Sequence, residues 1–75
     1  MILAGRFHAG PRQREILVLL SRGQSDIQIA LALGISVATV RTYLVRLYRD
    51  NGLHNRAEAV AEWLKSIPSD GQLST

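Results

Sequence analysis

The apolar residues of this chain recur at helical spacing, three to four positions apart, in four separate stretches. The first stripe, Ile16 to Leu20, follows Pro11, whose fixed φ suits the first position of a helix. The third stretch has one clear apolar face, which carries Val37, Val40, Leu44 and Leu47. The spacing predicts helices at about 11–22, 26–33, 37–50 and 56–66. With no strand pattern, the fold class is all-α, a four-helix bundle.

Residues that begin and end helices stand between these stretches. Ser25 with Gln28 three positions later forms a capping box for the second helix, and Ser36 is an N-cap for the third. Gly34 and Gly52 follow the second and third helices, where a left-handed residue commonly ends a helix. The second and third helices are therefore joined by a short turn.

The fourth stretch starts at a cap-like pair, Asn55 and Glu58. We predict that its core face consists of Ala57, Val60, Ala61 and Leu64. On this assignment Ala59 and Trp63 flank the core stripe and Ile67 continues their strip, and we interpret these three as a dimer interface. The alternative is that Trp63 is a core residue.

Length and composition exclude several classes of protein. A chain of 75 residues supports one domain, placed at 10–67, between a flexible lead-in or linker at 1–9 and a disordered tail at 68–75. Without cysteine there is no disulfide or thiolate metal site, and His8 and His54 lack ligand spacing, so we expect no metal and no cofactor. Neither a nucleophile elbow nor a phosphate loop occurs, so no enzyme is expected. The longest apolar run is far shorter than a membrane span, which favours a soluble, cytoplasmic protein.

The region from 25 to 46 has the features of a helix-turn-helix. Ala30 is small where two helices would cross, Gly34 lies at the turn, and Val40 would pack back onto the first of the two helices. The net charge is only +3, but residues 36–49 contain three arginines and no acidic residue. An arginine-bearing face with no role in a core predicts DNA binding.

Residues 9–66 resemble the LuxR-type (GerE-type) DNA-binding domain, found at the C-terminus of many bacterial response regulators and quorum-sensing activators. The matching segments are Pro11-Arg12-Gln13-Arg14-Glu15-Ile16-Leu17, Gly23-Gln24-Ser25, Ile29-Ala30, Ile35-Ser36, Ala38-Thr39-Val40-Arg41-Thr42, Gly52-Leu53, Asn55-Arg56 and Glu58-Ala59-Val60. The resemblance implies four helices, of which the third enters the major groove and the fourth often mediates dimerisation on DNA. Departures from the family pattern include Gly10, Gln13, Ile27, Gln28, Leu31, Tyr43 and Val45.

These observations predict two groups of DNA contacts. An arginine can bond a guanine edge through two hydrogen bonds, and small apolar groups can meet the thymine methyl, so the base-contact candidates are Ala38, Arg41, Thr42 and Val45. The phosphate-contact candidates are Ser25, Ser36, Thr39, Tyr43, Arg46, Arg49 and Arg56. The alternatives are capping alone for the two serines, a salt bridge to Glu58, Glu62 or another acid for Arg56, and a tolerated surface position for Val45.

Two aliphatic residues of the second helix, Ile27 and Leu31, lie off its core face and form a possible partner patch. The sequence therefore predicts a DNA-binding domain of a bacterial transcriptional regulator, paired on DNA through its fourth helix and weakly associated without DNA. RNA polymerase, or a receiver or sensor domain, is a further possible partner. The alternatives are a protein-interaction module on the same scaffold and a fragment of a polymerase specificity factor.

Overall fold

A computed structural model describes residues 7–66, and the four predicted helices are confirmed there. The helices are α1 (Pro11–Ser21), α2 (Asp26–Leu33), α3 (Val37–Asn51) and α4 (Arg56–Ser66). Only the C-terminal ends of α1 and α3 differ from the predicted boundaries, each by one residue. The described part of the chain contains no strand.

The predicted caps set the helix boundaries. The Ser25 hydroxyl accepts the Gln28 N–H at 3.2 Å, and the Gln28 side chain accepts the Ser25 N–H at 2.9 Å, which completes the capping box. The Ser36 hydroxyl accepts the Thr39 N–H at 3.0 Å. Gly34 ends α2 with φ of 69°, a left-handed conformation in which an L side chain is strained. This turn lets α3 leave α2 at a bend of 108°.

One apolar core joins all four helices. It consists of Ile16, Leu17, Leu20, Ile29, Ala30, Val40, Leu44, Leu47 and Ala59. Residues 30 and 40 are both buried, as the helix-turn-helix pattern predicts, so the outer face of α3 is fixed by burial of the opposite face. Within residues 7–66 no single helix is long and apolar enough to cross a membrane, and α2 with α3 meets that test only as a sharply bent pair.

The predicted core face of α4 was wrong at three of its four positions, and only Val60 packs against the core. Ala59 is fully buried, whereas Ala57, Ala61 and Leu64 are exposed. Because alanine is small and occurs on two opposite sides of α4, the apolar pattern fits either face, and packing against α1 decides between them. Ala59 is therefore not available as a dimer contact. Trp63 is half-buried against the core, and Ile67 lies outside the described residues.

The end of the predicted lead-in is packed rather than flexible. Phe7 and Ala9 lie against the core. The Asn51 side chain accepts the His8 N–H at 2.7 Å and donates to the His8 carbonyl at 2.8 Å. These contacts place the last three lead-in residues on the domain. The rest of the lead-in, 1–6, and the tail at 68–75 lie outside the described residues.

Candidate nucleic-acid interface

The outer face of α3 is a continuous exposed surface. The four base-contact candidates, Ala38, Arg41, Thr42 and Val45, all lie on it, opposite the buried apolar stripe of the same helix. The Thr42 hydroxyl donates to the Ala38 carbonyl at 3.0 Å, which leaves the Thr42 methyl as the group for an apolar contact. The arrangement offers a guanidinium beside small apolar groups, the chemistry that reads guanine and thymine edges.

Two of the phosphate candidates on α3, Tyr43 and Arg46, lie toward α1. Tyr43 is half-buried, and with Arg46 it lines a shallow groove of about 330 Å³ beside Pro11 at the start of α1. Arg49 is exposed, but its Nε lies 3.7 Å from the Asp50 carboxylate. The exposed face of α3 is therefore basic, with one acidic residue at its C-terminal end.

On the side toward α2, one carboxylate joins three helices. Asp26, in the first turn of α2, accepts from Arg41 Nε at 3.3 Å and from Arg56 Nη2 at 2.9 Å. The pairing of Arg56 with an acid, the alternative to a phosphate contact, is thus observed, and its partner is Asp26 rather than Glu58 or Glu62. Sequence reasoning missed Asp26, whose only signal was an acidic residue in a first helical turn beside a serine cap.

The two serine candidates are helix caps in the structure. The Ser36 hydroxyl also lies 2.8 Å from the Thr39 hydroxyl, so these two candidates engage each other at the start of α3. Ser25 uses its hydroxyl oxygen as a cap acceptor, which leaves its hydrogen for another acceptor. A helix start with exposed backbone amides favours an anion, so capping and phosphate contact are compatible here.

Two ionisable groups near α4, Glu58 and Tyr48, have pKa values displaced from their ordinary values. Hydrogen bonds from the His54 backbone and side chain lower the pKa of Glu58. Burial raises the pKa of Tyr48, with Arg56 lowering it and Asp26 raising it. Among residues 7–66 no group of three or more His, Asp or Glu side chains is placed to hold a metal ion.

The partner patch on α2 is exposed as predicted. The exposed fractions are 62% for Ile27 and 79% for Leu31, so neither side chain contributes to the core. This exposure fits a contact surface, but it does not identify what binds there.

Comparison with known proteins places the chain among bacterial regulators. The family GerE, described as bacterial regulatory proteins of the luxR family, matches residues 10–62. The chain is 48% identical over 50 residues to a probable transcriptional regulatory protein, SgaR, of Hyphomicrobium methylovorum, which covers 67% of this chain and 24% of SgaR. It is 43% identical over 54 residues to the probable transcriptional regulatory protein NarL of Mycobacterium tuberculosis, covering 72% of this chain and 25% of NarL.

A third relative is the two-component response regulator PprB of Pseudomonas aeruginosa, 40% identical over 48 residues, or 64% of this chain and 18% of PprB. The chain thus spans about a quarter or less of the length of these curated relatives. No solved structure matches the chain significantly.

Proposed function

Because the chain belongs to the luxR family of bacterial regulatory proteins, we propose that it binds double-stranded DNA sequence-specifically, with α3 in the major groove. The chain is a helix-turn-helix domain of the kind that DNA-binding transcriptional regulators carry. The observation that carries the proposal for α3 is its exposed face, which combines arginines with small apolar groups opposite a fully apolar buried face.

Base recognition is assigned to four residues of that face. Arg41 donates two hydrogen bonds to a guanine, and Thr42 and Val45 contact thymine methyl groups. Ala38 allows close approach of the helix to the bases because its side chain is a single methyl group. A preferred site with a guanine next to thymines is the expected consequence.

Phosphate contacts fix the orientation of the domain and carry no sequence information directly. They are assigned to side chains at the edges of α3 and at the helix starts: Ser25, Ser36, Thr39, Tyr43, Arg46, Arg49 and Arg56. Among the arginines of this set, only Arg56 must leave or share an ion pair with another helix to make its contact.

Two copies pair on DNA through α4. With Ala59 buried, the surface that α4 offers to a second copy is the exposed strip of Ala57, Ala61 and Leu64, next to the half-buried Trp63. Stable interfaces bury about 1,600 Å² in total, more than one short helix supplies, so the dimer is weak without DNA. DNA holds two copies at high effective concentration, on half-sites about one helical turn apart.

The partner patch of Ile27 and Leu31 is proposed as a contact for a further protein surface. A receiver or sensor domain, as in two-component regulators, and RNA polymerase are the candidates. Regulation of transcription places this activity in the cytoplasm, where bacterial DNA lies.

Selection of binding sites from a random duplex pool tests the proposal. We expect one enriched motif and binding that weakens steeply with salt, because cations are released from phosphates. Arg41→Ala should relax selectivity at one base pair and cost about 1–3 kcal/mol on the enriched site. The matched control, Arg49→Ala, should weaken all duplexes equally. No enriched motif, or selectivity unchanged by Arg41→Ala, contradicts the assignment of α3.

A further inference from the structure

Asp26 has an unusual position among the acidic residues of the described chain. Its side chain is only 16% exposed, whereas that of Arg41 is 68% exposed and that of Arg56 is 49% exposed. Each carboxylate oxygen accepts from a different arginine, one on α3 and one on α4. A single carboxylate thus connects the start of α2 with two arginines assigned to DNA.

The bond to Arg41 uses a particular nitrogen. Asp26 accepts from Nε, the nitrogen nearest the aliphatic stem, which leaves the two terminal nitrogens of that guanidinium for another ligand. An arginine recognises guanine with two parallel hydrogen bonds, which the terminal pair can form end-on. A side-on approach through Nε is blocked as long as the pair with Asp26 persists.

The same carboxylate opposes binding to the DNA backbone. It is a negative charge next to the proposed groove surface, and it competes with phosphate for Arg56. The N-terminus of α2 would otherwise attract an anion. The two effects of Asp26 therefore act in opposite directions on sequence reading and on general affinity.

We propose that Asp26 is a positioning residue that sets sequence specificity, fixing Arg41 for end-on recognition of one base while lowering affinity for DNA of any sequence. The proposal rests on the proposed DNA-binding function. A side chain oriented before binding loses less conformational entropy when it binds. It also gains less from a wrong base pair, because it cannot turn to a second acceptor without breaking the ion pair.

The test compares Asp26→Asn with wild type and with Glu62→Gln, which removes one negative charge from an ion pair within α4. Affinity is measured by titration over a range of salt concentrations. The duplexes are the enriched site, the same site with the base pair read by Arg41 exchanged, and an unrelated sequence. Asp26→Asn should bind the unrelated duplex several-fold more tightly, because it removes a negative charge beside the DNA and a competitor of phosphate for Arg56. Discrimination against the exchanged base pair should fall about five- to tenfold, part of what a bidentate contact supplies.

A double variant shows whether Asp26 acts through Arg41. In the Arg41→Ala background, Asp26→Asn should leave the remaining discrimination unchanged but should still strengthen binding to unrelated DNA. Asp26→Glu, which keeps the charge and moves the carboxylate, should lower discrimination without strengthening that binding. It also provides the test if Asp26→Asn does not fold.

Unchanged discrimination in Asp26→Asn, or an equal change on all three duplexes as in Glu62→Gln, would overturn this inference and leave the proposed function intact. An additive loss of discrimination in the double variant would overturn it as well. A wild-type chain with no preferred duplex would instead overturn the proposed function, and this inference with it.

Discussion

The third and fourth helices pack on the same core, yet their sequences specify their orientation to different degrees. In α3, the residues Val40, Leu44 and Leu47 are buried, and arginines occupy the opposite side. In α4, Ala59 is the one buried residue. Leu64 has the largest aliphatic side chain of this helix, and it is half exposed. The orientation of α3 was predicted correctly from the sequence, whereas on α4 only Val60 of the predicted core face packs against the core.

The difference comes from the size of the side chains that distinguish the two faces. Hydrophobic stabilisation grows with the apolar area buried, so a leucine strongly favours one orientation and an alanine hardly does. The outer face of α3 also carries charges that would be costly to bury. With alanines on both sides of α4, shape complementarity to α1 selects the buried face. Ala59 fits closely against α1 because its side chain is small.

Truncation of a large α3 core side chain should give the largest effect in this comparison. Leu47→Ala should destabilise the domain by about 2–5 kcal/mol, because it removes buried methyl groups and leaves a cavity. Val45→Ala, two positions away on the exposed face, should change stability by about 0.5 kcal/mol or less. Thermal or urea unfolding of both variants checks this. Equal losses in both variants would mean that the faces of α3 are wrongly assigned.

Enlargement of two alanines tests the corrected face of α4. Ala59→Leu should cost about 1–3 kcal/mol, since extra methylene groups do not fit a fully packed position. Ala61→Leu is its control on the exposed side and should be close to neutral. Thermal or urea unfolding of the two variants measures the difference in their stabilities. If Ala61→Leu proved the more damaging substitution, the original assignment of the α4 core face would be restored.

Substitutions at Leu64 and at its neighbour Trp63 distinguish an effect on dimerisation on DNA from an effect on stability. Leu64→Ala should reduce cooperative binding to two half-sites several-fold, and it should spare the melting temperature and binding to one half-site. Trp63→Ala should lower the melting temperature, because its ring packs against the core. Gel-shift titrations on one and two half-sites, with thermal melts, test both. Full cooperativity in Leu64→Ala would move the contact between copies away from α4.

The smallest expected effect concerns the start of α4. Since hydrogen bonds from His54 lower the pKa of Glu58, the carboxylate stabilises the fold above the ordinary glutamate pKa. That stabilisation is lost as the pH falls through the lowered value. Glu58→Gln keeps an acceptor for the His54 N–H but cannot be protonated, so its melting temperature should fall less on acidification below about pH 4.3.

The control for this measurement is Glu62→Gln, which removes a carboxylate that does not accept the His54 N–H. It should follow the wild-type profile of melting temperature against pH. Identical profiles for wild type and Glu58→Gln would show that the bond to His54 contributes no measurable stability.

Local signals along the chain predicted much of the fold and of the candidate site. The cap at Ser25, the turn at Gly34 and the stripe on α3 each depend on residues within one or two turns of each other. These signals sufficed for the helix bounds and for the exposed face that carries the base-contact candidates. They are the interactions for which spacing in sequence and position in space coincide.

The features that were missed join distant parts of the chain. Asp26 contacts arginines 15 and 30 positions away, and Asn51 contacts a residue 43 positions earlier. An acid beside a serine looks the same in sequence whether it faces solvent or two arginines. Only the packing of α2 against α3, and of α4 against α1, brings these groups within hydrogen-bond distance.

The two hydrogen bonds between the Asn51 side chain and the His8 backbone determine how force on the N-terminal segment reaches the helices. Asn51 belongs to the last turn of α3, and its amide also donates to the Leu47 carbonyl, so it is anchored in its own helix. Tension on the chain ahead of Phe7 would act on the packing of Phe7 and on both hydrogen bonds at His8, and so on the end of α3, before it acted on α1. The hydrogen bonds to Asn51 thus couple the backbone at His8 to the C-terminal end of α3, the helix proposed to enter the major groove.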